Sequence, residues 1–261
     1  MIPAIGFGTW RLSGRDCSDG VADALAAGYR HVDTASMYGN EREVGSGMRA
    51  SGVDRGDVWL TTKVWPEDLS PDRVRASLER SLRALGTDYV DLYVIHWPNP
   101  RIPLAATLEA MTELRDQGRT REIGVSNFTS AQFREAIDLA PVIVNQVEYH
   151  VYLDQSAVLE VCRERGAELC AYRPLGKGQV TSDPVIAEIA AAHGATPAQV
   201  ALAWLIGQEG VSAVPKASSP ERRRENLGAL RLELSADERR RIDALPKDRR
   251  HVETTWSPDW D

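Results

Sequence analysis

Cysteine, lysine and long apolar runs are all scarce in this chain of 261 residues. Cys17, Cys162 and Cys170 are an odd number without metal-ligand spacing, which argues against a disulfide framework or a zinc module and fits a reducing cytoplasm. No apolar run reaches membrane-spanning length, and the N-terminus has no basic segment followed by an apolar core. Positive charge is not in excess either. The net charge is −7 and the sequence pI about 5.4, which argues against nucleic acid or an anionic membrane as the main partner. No linker, low-complexity tract or charge block divides the chain. The expectation is one cytoplasmic domain over residues 1–261, close to the roughly 250 residues typical of a single α/β barrel. Only four of the 31 basic residues are lysine: Lys63, Lys177, Lys216 and Lys247. Where arginine is the default cation, Lys63 and Lys216 at the ends of apolar runs point to a need for a compact ammonium.

What the chain does have is a regular alternation. Short apolar, β-branched runs at Arg30–Asp33, Val58–Lys63 and Tyr89–His96 are followed by others at Glu122–Ser126, Val142–Tyr149, Glu168–Tyr172 and Val211–Pro215. Helical patterns interleave with them at Ser18–Ala27, Asp72–Leu85, Leu104–Gln117, Ser130–Leu139 and Ser156–Arg165. Four more fall at Pro184–Ala192, Pro197–Ile206, Pro220–Leu227 and Ala236–Ala244, the last opened by Ser235 as a cap. Repeated βα units of this kind predict a parallel sheet with right-handed crossovers, closed into a (β/α)8 barrel of the TIM type. After Leu245 the periodicity stops. The segment carrying Trp256 and Trp260 is read as a tail over the barrel mouth.

Four polar residues stand out against this background: Asp33, Tyr38, Lys63 and His96. Three of them close apolar runs, where a charge is costly to desolvate unless it pairs or does chemistry. A phenol beside an ammonium and a carboxylate is a route to a usable proton donor near neutral pH. Taken singly, Asp33 or Lys63 reads as half of a buried structural ion pair, and His96 as a satisfied core histidine. Together they favour catalysis. His31 and His150 keep the plain core reading. However, His31 with Asp33 and Glu148 with His150 are i, i+2 pairs that share strand faces, a set that a divalent metal in a hydrolase or isomerase barrel could use. Lys63 competes for those carboxylates, so no metal is expected. GSGMRA at Gly45–Ala50 matches G-x-G-x-x-A, but the residues before it, NEREV, look helical where a dinucleotide fingerprint needs a strand.

The motifs follow one another in a set order: GFGTW at Gly6–Trp10, HVDTASMYGNE, WLTTKVW, YVIHWP, GVSNF at Gly124–Phe128, NQVEYH at Asn145–His150, AYRPLG at Ala171–Gly176 and PKASSPERRRENL at Pro215–Leu227. This series resembles the signatures of the aldo-keto reductases. The stretches MIPAIGFGTWRLS, TREIGVSNFT and SPDWD look most like its bacterial diketogluconate reductase branch. The resemblance implies that Tyr38 is the general acid toward a carbonyl oxygen, that Lys63 supports the developing phenolate, that Asp33 holds Lys63 and that His96 orients the carbonyl. It implies NADPH as cofactor. Ser126, Asn127 and Gln146, each otherwise an ordinary strand-end hydrogen-bonding residue, would hold the nicotinamide carboxamide, and Tyr172 would stack on its ring. Arg173, Pro174 and Leu175 would lie beside the pyrophosphate, Arg173 standing where serine is common. Lys216, Ala217, Ser218 and Arg222 would meet the adenosine 2′-phosphate, and Glu225 and Asn226 the adenine. Ala217 replaces the usual hydroxyl residue.

Ser219 suits an N-cap with Pro220 in the first turn, and a helix N-terminus favours phosphate. Arg223 and Arg224 read as a solvated helix start. Trp10, Trp65 and Trp97, otherwise large core fillers, would line a substrate pocket. The short WPNPRIP connection leaves its mouth open. The expected function is monomeric, NADPH-dependent reduction of small aldehydes and ketones, including dicarbonyls such as methylglyoxal or 2,5-diketo-D-gluconate. The rival is a non-catalytic NADPH-binding barrel that regulates a partner, against which the intact set of four argues.

Overall fold

A computed structural model describes residues 1–255 and 257–261; Trp256, singled out above for its place in the tail, lies outside the described residues. Eight parallel strands run in chain order around one sheet. They are β1 (Phe7–Gly8), β2 (His31–Asp33), β3 (Trp59–Val64), β4 (Val90–Ile95), β5 (Thr120–Ser126), β6 (Val142–Glu148), β7 (Glu168–Tyr172) and β8 (Val211–Ala213). The ring closes where the Gly6 amide donates to the Ala213 carbonyl at 2.8 Å and the Gly8 amide to Pro215 at 3.1 Å. This is the (β/α)8 barrel read from the sequence.

The helices are α1 (Gly14–Ala27), α2 (Glu41–Ala50), α3 (Pro71–Leu85), α4 (Leu104–Asp116) and α5 (Ser130–Leu139). They continue as α6 (Ser156–Arg165), α7 (Pro184–Ala192), α8 (Pro197–Ile206), α9 (Pro220–Gly228) and α10 (Ala236–Asp243). Thr129, Thr196 and Ser235 open α5, α8 and α10 through reciprocal capping boxes, which is why those boundaries were readable. No single helix among the described residues is long and apolar enough to cross a membrane.

Strand alternation decides what faces the barrel axis. Tyr93 and Ile95 of β4 join the large core beneath the helices, whereas Leu92 and Val94 join a small cluster with Val144, Cys170 and Val214. The register sets Lys63 opposite Val94 and Asp33 opposite Thr61. Thus Asp33, Lys63, Ser126, Gln146, Glu148 and Tyr172 share the inward parity of their strands, near the carboxyl ends where barrels of this kind place their sites.

The glycine pair rejected as a dinucleotide fingerprint has a packing role instead. A Cβ on Gly45 would lie 1.9 Å from the Leu85 carbonyl oxygen, and one on Gly47 2.3 Å from that of Ser18. Both glycines let α2 sit against its neighbours. Alanine at position 45 should therefore destabilise the protein by more than the about 1 kcal/mol it gains in helix propensity, since overpacking against backbone costs about 1–3 kcal/mol. Gly56→Ala, with open space around the new methyl, should stay within about 0.5 kcal/mol of the parent in urea denaturation.

Candidate active site

Lys63 is fully buried at the end of β3, and all three of its ammonium protons are directed. Nζ donates to Asp33 Oδ1 at 2.7 Å, to the Thr34 carbonyl at 2.8 Å and to the Tyr38 hydroxyl at 3.5 Å. The second oxygen of Asp33 accepts from Gln146 Nε2 at 2.8 Å. Tyr38 ends a short 3₁₀ turn, Ser36–Tyr38, which is pinned by a bond from Ser36 Oγ to the Lys63 carbonyl. His96 follows β4, with its ring 5.7 Å from that of Tyr38, edge-on. The four residues picked out of the sequence do meet. The sequence reading missed Asn40. It is buried, accepts from Thr34 Oγ1 and donates to the Thr9 and Leu12 carbonyls, tying the first two strand ends together. Nothing in a lone asparagine after a glycine announces that role.

Burial governs the protonation states. It pushes the Tyr38 phenol above its ordinary pKa; the Lys63 ammonium pulls it down as expected but does not prevail. The phenol is therefore held protonated at neutral pH. Burial pulls the Lys63 ammonium down, yet Asp33 outweighs it and the net direction is up. His96 is pushed well below its usual value, by burial first and then by Lys63, so its imidazole is neutral. His31 falls to about 4 through burial and bonds Thr61 Oγ1 at 3.1 Å, a core histidine as the plain reading had it.

A cavity of about 290 Å³ opens above these groups. Trp10, Trp65 and Trp97 line it together with Tyr38 and His96. Trp10 stacks near Tyr38 at 4.7 Å, and Trp65 stands edge-on to His96 at 5.2 Å. Ser126, Asn127, Gln146, Tyr172, Arg173, Pro174 and Lys216 line it too, and Leu175, partly buried, packs against the core. The polar wall is internally bonded. Asn127 donates to the His96 carbonyl and to Ser126 Oγ and accepts from the Tyr172 hydroxyl at 2.7 Å.

The aldo/keto reductase family model matches residues 4–247. The chain belongs to the aldo/keto reductase family. Methylglyoxal reductase DkgB of Escherichia coli O157:H7 is 42% identical over 266 residues, covering 100% of this chain and 99% of the relative. A 9,11-endoperoxide prostaglandin H2 reductase of Trypanosoma cruzi is 40% identical over 95% of this chain and 89% of its own. A crystal structure described as a 2,5-diketo-D-gluconic acid reductase B superposes with a TM-score of 0.97 at 44% identity, covering 100% of this chain and 94% of that one. The protein is accordingly an oxidoreductase, of a family that acts on small carbonyl compounds and generally uses nicotinamide cofactors.

In this aldo/keto reductase the turn before α9 is built from beneath. Ser219 caps α9 by accepting from the Arg222 amide, and Lys216 Nζ donates to Ser218 Oγ at 2.6 Å. Arg222 is exposed, while Ala217 is buried. Arg223 corrects the sequence reading: far from solvated, it is 4% exposed, paired with Asp23 at 2.6 Å and donating to the Ala217 and Ser218 carbonyls. Three consecutive arginines hide which one points inward; the helical spacing to buried Asn226 was the available signal. Glu225 accepts from Thr196 Oγ1 at 2.6 Å, and Asn226 lies buried near Tyr29.

The tail covers the mouth, as expected. Glu148 Oε1 accepts from the His251 amide and Oε2 from the Val252 amide, both at 2.8 Å, and Val252 and Thr254 then line the cavity. Trp260 lies 6.1 Å from Trp97, and Asp261 accepts from the Ser130 amide at the start of α5. Of the residues weighed for a metal, Asp33 is bonded to Lys63 and Gln146, whereas Glu148 and His150 lie with His251 so that one ligand atom from each falls within 4.8 Å of the others. Both oxygens of Glu148 also accept from N–H groups. His150 accepts at Nδ1 from the Tyr152 amide, so Nε2 carries the proton it gives Glu148.

Burial would raise the Glu148 pKa, but its donors outweigh burial and hold it below the ordinary glutamate value. A lowered native pKa means that this contribution is complete above the usual glutamate range and is lost as pH falls through the native value. Glu148→Gln replaces one acceptor with an NH2 group that faces a donor. It should weaken tail docking by about 1–3 kcal/mol, read as faster hydrogen exchange at His251 and Val252 with the strand amides unchanged.

Proposed function

We propose that this enzyme reduces small aldehydes and ketones to alcohols with NADPH, and that Tyr38 is the general acid. The carrying observation is the buried ammonium of Lys63, shared between Asp33 and the Tyr38 hydroxyl at the floor of an aromatic-walled cavity. Lys216 and Arg222 support NADPH over NADH: both are exposed cations at the α9 N-terminus, and neither pairs with a carboxylate among the described residues. The cradle fits a phosphate-bearing cofactor on those grounds. Ser126, Asn127 and Gln146 would hold its carboxamide, and Tyr172 would lie against its ring. When bound, the nicotinamide supplies the hydride.

The chain's own part is to manage charge and a proton. Reduction of a carbonyl builds negative charge on its oxygen, and a donor already in place removes the cost of reorganising water. Tyr38 gives that oxygen a proton, a downhill transfer because an alkoxide is a stronger base than a phenolate. Lys63 offsets the charge left on the phenolate, and Asp33 keeps Lys63 in register. Neutral His96 directs the carbonyl toward Tyr38 without competing as a cation. The three tryptophans and the tail keep water out. The same reading takes the enzyme as a single-domain cytoplasmic monomer, with methylglyoxal-like dicarbonyls among its substrates.

Tyr38→Phe keeps the ring and removes the proton. Methylglyoxal-dependent loss of NADPH absorbance should fall roughly 10²- to 10⁴-fold, while NADPH still quenches tryptophan fluorescence. Activity within about twofold of the parent would remove Tyr38 from the role of acid. Arg222→Ala should weaken NADPH by roughly tenfold to a hundredfold and leave NADH nearly unchanged, with the gap narrowing in added salt. Equal weakening of both cofactors would move Arg222 off the 2′-phosphate.

A further inference from the structure

Asn40 is a buried amide, 1% exposed, two residues after Tyr38. Its side chain spends both N–H protons on one short stretch, donating to the Thr9 and Leu12 carbonyls at 2.9 Å each. Those carbonyls bracket a turn, which the Leu12 amide closes on the Thr9 carbonyl at 3.0 Å. Arg11, third of the four residues, sits at φ 67°, where glycine or asparagine is the ordinary choice. A side chain in that region persists only where its surroundings over-determine it. Trp10, the second residue of the turn, is 38% exposed and rests against the Tyr38 ring at 4.7 Å.

The oxygen of the same side chain accepts from Thr34 Oγ1 at 2.8 Å, and the Thr34 carbonyl in turn accepts from Lys63 Nζ. One amide therefore holds both the Trp10 turn and the strand end that seats the ammonium. The Thr9 amide and hydroxyl, both donating to the Asp33 carbonyl, complete the inner side of this frame. We propose that Asn40 is a positioning residue for substrate selectivity: it fixes the Thr9–Leu12 turn so that Trp10 stands as a wall beside Tyr38. A substrate ring gains from stacking on that indole only while the indole is held in place. Carbonyl compounds that carry an aromatic ring depend on the wall, and small dicarbonyls do not. This rests on the reductase reading above and adds a residue that does not itself line the cavity.

The test is the ratio of kcat/KM for 4-nitrobenzaldehyde to that for methylglyoxal, which cancels effects shared through Tyr38, Lys63 or the cofactor. Asn40→Asp keeps the acceptor toward Thr34 and removes both donated bonds. It should lower the ratio roughly threefold to tenfold, mostly through KM for the aromatic aldehyde. Trp10→Ala should lower the ratio as well, and adding Asn40→Asp to it should lower it no further. A purely structural Asn40 would slow both substrates alike. An unchanged ratio would therefore overturn the proposal, as would a further fall in the double variant. The wild type gives a reading that needs no variant to fold: the Leu12 amide should exchange with deuterium as slowly as those of β2. Exchange at the rate of an exposed turn would show the turn unfastened and would also overturn the proposal. No reduction of either compound by the wild type would instead strike the reductase reading itself.

Discussion

The site depends on a single buried contact, Lys63 on Asp33. An ammonium and a carboxylate in a barrel interior each carry a desolvation penalty of several kcal/mol, recovered only when geometry is good and the remaining hydrogen-bonding positions are filled. Here they are filled. The ammonium spends its protons on Asp33, the Thr34 carbonyl and Tyr38, and the carboxylate spends its second oxygen on Gln146. The pair exists because β2 and β3 are adjacent and the register gives both residues the inward parity. A slip of one residue on either strand would turn one of the charges into the outer core. Removing either partner would strand a charge, typically at about 3–5 kcal/mol, so the chemistry and the integrity of the barrel interior are coupled here.

Around that contact, burial decides the character of each neighbour. It keeps the phenol protonated and the imidazole neutral, leaving the ammonium as the fixed positive charge at the cavity floor. The expectation from sequence was that an ammonium and a carboxylate beside the phenol make it a usable proton donor near neutral pH. Lys63 does pull the phenol down, but burial outweighs it and the net direction is up. A donor that stays protonated until an alkoxide forms needs no free phenolate at rest.

Legibility followed the local signals. Helices with a capping residue, such as those opened by Thr129, Thr196 and Ser235, were bounded to within a residue, and so was β7. Short β1 was seen only as a motif, because two residues show no periodicity. Asp33, Lys63 and His96 were readable because charge and polarity at apolar strand ends are exceptional, and Tyr38 through its place five residues after Asp33 in the same motif. Arg223 and Asn40 were not, since their roles lie in which carbonyls they reach, and that depends on how α9 and the first loops pack. Glu148 was weighed as a metal ligand together with His150. The two do meet, and Glu148 also serves backbone amides more than a hundred positions later in the chain.

That last arrangement separates shape from chemistry at the roof of the cavity. Glu148 grips the main chain at two successive residues and makes no demand on their side chains beyond excluding proline, which has no amide proton to offer. The height of the roof is thus fixed by the barrel, while the residues that face the substrate, Val252 and Thr254, are free to change. A scaffold so arranged can be re-lined by exchanging a few side chains near its end, with the proton-handling floor left intact.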